Sequence, residues 1–149
     1  MRKSLWNADS RRELVERLGR LKADTQPRWG RMSAPQMLAH LIDWMRMANG
    51  ELEVAAWHRR HLRRAPLKQM LIYWIPIPKG VPTAPELTKR AVTDWTGECA
   101  EMCRYIDSYA TRDPTLAWPE HPAFGNLTTR AWGVLGYRHT DHHLRQFGV

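Results

Sequence analysis

Two histidines near the end of the chain have the spacing of a pair of metal ligands. His139 and His143 are four residues apart, so on a helix both imidazoles project from one face. That face also carries Trp132, Gly136 and Phe147, which indicates that it points into the protein. A buried imidazole pair without partners is costly, whereas metal binding satisfies the neutral nitrogens. The spacing therefore predicts a metal site with nitrogen ligands.

A third ligand is expected from an earlier helix. His40 shares an apolar arc with Met37 and Trp44 and faces inward by the same counting. Three imidazoles leave a coordination position open for water or substrate, as catalytic metal sites do. Such a set suits zinc, nickel, copper or iron, with zinc and nickel favoured. A hydrogen-bonded core histidine is the alternative for His40. Asp43, one turn later, would orient the imidazole as an acceptor or be a plain surface carboxylate.

Two other histidines compete for a role at this site. His142 lies three residues after His139 and could share its face, but the stripe that includes Phe147 favours His143 as the ligand. His121, in a proline-rich segment, and His142 are also candidates for a general acid or base. The alternative for both is an ordinary loop or surface histidine.

Helices alone are predicted around these residues. Four long helices follow from apolar spacing and start signals, over about 10–23, 33–49, 83–109 and 129–147. Their expected capping residues are Ser10, Ser33, Thr83 and Thr128. A shorter helix is expected over about 66–74, before a run of alternating prolines that prevents regular structure. The prediction is an all-α protein, a helical bundle with long crossover loops, in one domain over residues 1–149.

The loop over 111–127, with three prolines and a glycine, precedes the last helix. Trp118, Pro119, Pro122 and Phe124 are expected to fold over one end of the bundle and form a lid or wall for a pocket.

The composition narrows the possible partners. Lys and Arg outnumber Asp and Glu by 23 to 15, for a formal net charge of +8. The most basic segment, 58–64 (HRRHLRR), lacks a nucleic-acid-binding motif, so a solvated surface is favoured over nucleic-acid binding. No apolar run approaches the roughly 20 residues of a membrane span, and the first residues lack a secretory signal. A cytoplasmic location is therefore expected.

Three segments resemble a known superfamily. They are 29–44 (WGRMSAPQMLAHLIDW), 77–86 (IPKGVPTAPE) and 121–148 (HPAFGNLTTRAWGVLGYRHTDHHLRQFG). Together they look like a branch of the DinB/YfiT-like metalloenzyme superfamily. The resemblance implies a four-helix bundle, typically a homodimer, with a divalent metal on one histidine of the second helix and an H-x-x-x-H pair on the fourth. By that resemblance His40, His139 and His143 correspond to the ligands.

The resemblance also implies a range of activities, since the superfamily includes thiol-dependent S-transferases and a mycothiol-dependent isomerase. We therefore expect a metal-dependent enzyme acting on a small-molecule substrate, either a transferase that uses a low-molecular-weight thiol or a hydrolase. The alternative is a non-catalytic metal-binding or stress-response module.

Overall fold

Helices account for the regular structure of residues 2–56 and 60–149, which the computed structural model describes. The α-helices are α1 (Ala8–Leu18), α2 (Ala34–Ala48), α3 (Leu67–Tyr73), α4 (Trp95–Ser108) and α5 (Thr129–Gln146). Short 3₁₀-helices span Arg60–Arg63 and Pro85–Leu87. Apart from an isolated β-bridge between His121 and Gly125, these residues contain no strand. The predicted all-α class is confirmed.

The two helices that carry the candidate ligands begin where the sequence predicts. At the start of α2, Ser33 Oγ accepts from the Gln36 amide (3.3 Å) and Gln36 Oε1 accepts from the Ser33 amide (2.9 Å). Pro35 lies in the first turn, where no intrahelical donor is lost. At the start of α5, Thr128 Oγ1 accepts from the Ala131 amide (3.2 Å). These caps fix the register of both helices.

The predicted start of the first helix is wrong. Asn7 Oδ1, rather than the Ser10 hydroxyl, caps α1 by accepting from the Ser10 amide at 2.9 Å. The helix ends at Leu18, several residues before the expected end.

The third long helix also starts later than predicted. Pro85 begins only a single 3₁₀ turn, closed by a hydrogen bond from the Thr88 amide to the Pro85 carbonyl (3.1 Å). The α4 helix begins at Trp95, where Asp94 Oδ1 accepts from the Gly97 amide (3.1 Å). This break leaves the Leu87 carbonyl outside any long helix.

The α2 helix is central, since twelve of its fifteen residues are buried. It packs against α4 and α5, and α1 also contacts α4 and α5. The α3 helix packs on α5. Trp132 of α5 is fully buried and stacks on Trp118 of the preceding loop, with ring centroids 5.5 Å apart. No helix among the described residues is long and apolar enough to cross a membrane.

Candidate metal centre

Three imidazoles from two helices meet in the interior. His40 comes from α2, and His139 and His143 come from α5. One ring nitrogen of each lies within 4.8 Å of the others, and the Nε2 atoms of His40 and His139 are 3.1 Å apart. Two nitrogens bound to one tetrahedral zinc ion would lie roughly 3.3 Å apart. The structure thus brings together the three histidines that the sequence selects, at a spacing that could hold a metal ion.

Protein acceptors set the orientation of two of these rings. His40 Nδ1 donates to the Leu87 carbonyl (3.1 Å), and His143 Nδ1 donates to Gln146 Oε1 (2.9 Å). The Gln146 amide is itself fixed, because its Nε2 donates to the Trp29 carbonyl at 2.8 Å. A proton held on Nδ1 leaves a lone pair on Nε2, the form in which imidazole binds a metal. Both rings are therefore preset as ligands.

The third ring is not preset in this way. His139 Nδ1 is buried and has no hydrogen-bond partner among the described residues. Its close contact with His40 Nε2, which carries a lone pair, requires either a proton on His139 Nε2 or a cation between the two nitrogens. A divalent ion fits this arrangement, because it would satisfy all three converging nitrogens at once.

Burial keeps the three rings neutral. Loss of solvation lowers the pKa of His40, lowers that of His143 to about 3, and lowers that of His139 well below its usual value. The neighbouring imidazoles lower the pKa of His139 and His143 further. Since metals bind the deprotonated ring, no proton has to be displaced at neutral pH.

A cavity of about 580 Å³ reaches the three rings. Its walls are mainly apolar side chains from α2, α5, the proline-rich segment 75–84 and the loop 121–124. Pro122 and Phe124 form part of the wall, as predicted. Trp118 instead packs away from it against Trp6, Tyr109 and Trp132. The prediction of a wall is thus confirmed for the second half of this loop only.

A family model described as a protein of unknown function (DUF1569) matches residues 2–148. The chain belongs to the DUF1569 family. No curated protein and no solved structure matches it. The match to the DUF1569 model includes all three clustered histidines and both loops that form the cavity wall.

The predicted role of Asp43 in the DUF1569 protein is wrong. Its carboxylate is buried, and it pairs with Arg90 (3.0 Å) and Arg46 (3.4 Å). It is therefore neither a surface group nor the acceptor for His40. The Leu87 carbonyl takes that role. A continuous helix from residue 83 would have used this carbonyl internally, so the broken helix makes it available.

The remaining histidines of the DUF1569 cavity lie outside the three-ring cluster. His142 lines the cavity and packs edge-on against Trp29, with ring centroids 5.8 Å apart. His121 Nδ1 accepts from the amides of Ala123 (3.1 Å) and Phe124 (3.3 Å). Burial lowers the pKa of His121 to about 3. An acid or base role for either residue stays a prediction.

Gln146 and Trp29 were not selected from the sequence, although both support the site. A signal for Gln146 was present, because it follows His143 by three residues and so shares its helix face. Trp29 contributes its backbone carbonyl, which every residue type has, so the sequence could not have indicated this role.

The basic segment over 58–64 falls partly outside the described residues, because His58 and Arg59 belong to the part that is not described. Arg63 donates to the Pro122 carbonyl (3.1 Å) and lies 3.6 Å from Glu120. Its guanidinium thus supports the cavity loop.

Proposed function

We propose that this DUF1569 protein binds a divalent metal ion, zinc or nickel, through Nε2 of His40, His139 and His143. The observation that carries the proposal is the convergence of three neutral imidazoles, two of them held by protein acceptors, at a largely apolar cavity. No acidic side chain among the described residues lines the cavity to compete with the imidazoles for a cation, and imidazole nitrogens suit both metals.

We further propose that the chain is DinB/YfiT-like. The helices α1, α4, α2 and α5 contact one another in that order around a closed ring. This arrangement supports a four-helix bundle in which α3 and the long loops are crossover connections. In chain order, α2 and α5 are the second and the last of these four helices. The position of His40 on α2 and of His139 and His143 on α5 therefore also agrees with the superfamily. A cytoplasmic homodimer is part of the same proposal, in which the location rests on the sequence and the dimer on the resemblance.

The activity that the site supports best is metal-dependent chemistry on a small molecule, either thiol-dependent transfer or hydrolysis. Three protein ligands rather than four leave room for an exogenous group, and the cavity offers access to it. A divalent ion bound there would lower the pKa of a thiol or a water molecule in the open position. The protein's own part is to hold His40 and His143 in place and to surround the reactants with apolar walls.

A second function is a metal-binding module without turnover. The imidazoles join α2 to α5, so a bound ion would stabilise the helix packing directly. The observation in its favour is that His121 Nδ1 is already occupied by two backbone amides, which leaves it unable to accept a proton from a substrate at that atom.

Activity measurements on zinc- and nickel-loaded protein separate the two functions. The assays would combine low-molecular-weight thiols with a chromogenic aryl halide, and use chromogenic esters for hydrolysis. If the protein is an enzyme, turnover is lost with the metal in His143→Ala and keeps its metal dependence in the control His61→Ala, which replaces an exposed histidine outside the cavity. Stoichiometric metal binding without turnover would support the module, and turnover unchanged in His143→Ala would contradict metal-dependent catalysis.

A further inference from the structure

The cavity wall contains the cationic side chain of Arg31 and no acidic side chain among the described residues. Five of the chain's seven histidines line it, together with Arg31. No Asp or Glu within residues 2–56 and 60–149 contributes to the wall. Two carboxylates act on cavity histidines, Asp43 on His40 and Asp141 on His142. Both lie outside the cavity, and each is paired with two arginines. Charge that enters the cavity is therefore best accommodated if it is negative.

A second cationic side chain, Lys79, lies near the part of the cavity wall formed by Trp29 and His142. Lys79 Nζ lies over the Trp29 ring, 4.4 Å from its centroid, and Trp29 packs edge-on against His142. Lys79 lies between Pro78 and Gly80, and both of these residues line the cavity. In the described structure neither Lys79 nor Arg31 forms an ion pair. Both cations are thus available to an incoming anion.

His121 presents a hydrogen-bond donor of fixed identity. Two backbone amides donate to its Nδ1, so the single proton of the neutral ring must reside on Nε2. The ring is held by a turn that two hydrogen bonds between His121 and Gly125 close (2.9 and 2.8 Å), and it packs between Phe124 and Trp132. Among the described residues none hydrogen-bonds to Nε2, and His121 lines the cavity. The turn thus prepares an N–H group for a ligand.

We propose that the cavity binds a small organic anion with an apolar body, and that His121 Nε2–H donates a hydrogen bond to its anionic group. The apolar walls would take the body of the ligand, and a volume of about 580 Å³ accommodates a two-ring aromatic compound. The inference rests on the proposed function for part of the positive charge, because three neutral imidazoles leave the charge of a divalent ion uncompensated. His121 would be a specificity-determining residue for this ligand.

Calorimetric titration with a matched pair of probes tests the proposal. The probes are 2-naphthoate, which is ionised at pH 7.5, and 2-naphthamide, which has nearly the same shape and no charge. The zinc-loaded protein is expected to bind the carboxylate at least about tenfold more tightly than the amide, because only the carboxylate meets the cationic groups. The same titrations on metal-free protein are expected to show a smaller preference in the same direction.

Two substitutions separate the donor of His121 from its part in the turn. His121→Asn keeps an acceptor for the two loop amides and removes the donor, and it should weaken 2-naphthoate binding about tenfold, the effect expected for a lost hydrogen bond to a charged group. His121→Gln keeps a donor at the position of Nε2 and loses the loop acceptor, so it should retain more of the affinity. Thermal denaturation confirms that each variant is folded.

Each outcome bears on the proposal. Equal binding of the two probes, or binding of neither, would overturn it. A retained preference with full affinity in His121→Asn would overturn the role of His121. Metal content is measured on the same samples. Protein that takes up no zinc when zinc is supplied, but still prefers the carboxylate, contradicts the proposed metal site and supports the anion site. Protein that holds zinc and shows no preference contradicts only the anion site.

Discussion

At the scale of single residues, the candidate metal centre depends on atoms behind the imidazoles. Leu87 and Gln146 accept the Nδ1 protons of His40 and His143, and so decide which nitrogen of each ring faces its neighbours. Partners of this kind orient metal-binding histidines and raise their basicity. The set of metal-binding nitrogens therefore depends on the tautomers of His40 and His143 as well as on the presence of three histidines.

Replacement of Gln146 tests this support. In Gln146→Leu the His143 Nδ1 proton loses its acceptor, so the ring is free to rotate or change tautomer, and we expect the zinc dissociation constant to rise about 10–100-fold. Gln146→Glu keeps an acceptor for the His143 proton but loses the donor to the Trp29 carbonyl, so its zinc affinity should fall less than that of Gln146→Leu. Competition with a chromogenic chelator measures both. Unchanged affinity in Gln146→Leu would show that the hydrogen bond does not position the ring.

His121 makes a separate prediction about pH. Burial lowers its folded-state pKa to about 3, whereas the unfolded chain binds this proton near pH 6.5. Its contribution to stability is therefore complete above pH 6.5 and is lost as the pH falls towards 3. Between pH 7 and pH 5, the free energy of unfolding should fall by about 2 kcal/mol more in the original protein than in His121→Asn.

Urea denaturation with a chelator present measures this difference without a contribution from bound metal. An identical loss of stability in both proteins would mean that His121 is not held neutral by its surroundings.

Residue types predicted part of this site. The i, i+4 spacing selected His139 and His143, and the apolar arc selected His40, because side-chain direction on a helix follows from sequence position. Asp43 was assigned wrongly because Arg90, which pairs with it, lies 47 positions away in a segment predicted to be helical. Backbone acceptors such as Leu87 are invisible to such patterns, since every residue carries the same carbonyl.

At the scale of helices, capping residues predicted the helix start correctly where the tertiary contacts also favour a helix. The predicted capping box of α2 at Ser33 is present, and Thr128 caps α5. At Thr83 the same pattern of residues produced only one 3₁₀ turn. Leu87 and Arg90 make long-range bonds to α2 from the segment that follows, and these contacts outweigh helix propensity there.

The N-terminal segment packs closely against α5 at Gly133, and this contact gives a testable prediction. A methyl group added at Gly133 would overlap the Trp6 indole and lie 2.6 Å from Ser4 Oγ, and the indole is held by its bond to the Thr129 carbonyl (2.9 Å). Gly133→Ala should therefore destabilise the protein by about 1–3 kcal/mol despite the better helix propensity of Ala. At Gly19 an added methyl group would meet only ordinary contacts, so Gly19→Ala is the matched control. Equal stability of the two variants in thermal denaturation would contradict the packing described for α5.

At the scale of the whole molecule, the imidazoles join segments that are about a hundred residues apart in sequence. The all-α class followed from periodicity, since apolar residues recur at helical spacing over most of the chain. The cavity did not, because the paths of segments 75–84 and 121–124 depend on contacts that no local pattern encodes. A metal ion bound between α2 and α5 would therefore require that the chain is folded.

Metal binding should stabilise the folded chain. An ion that binds only the folded state, at a free concentration 100-fold above its dissociation constant, adds about 2.7 kcal/mol to the free energy of unfolding. For a domain of this size that corresponds to a rise in Tm of roughly 5–10 °C. Zinc should produce this shift in differential scanning calorimetry, and magnesium, which prefers oxygen ligands, should not. The same shift with magnesium would point to a non-specific effect of cations.

The proposed metal centre requires that His40, His139 and His143 together hold one divalent metal ion. Elemental analysis of the purified protein, compared with His40→Ala, His139→Ala, His143→Ala and the control His142→Ala, tests it most directly. We expect close to one ion per chain in the original protein and in His142→Ala, and a large loss in each of the other three variants. Full metal content in all three of those variants would contradict it.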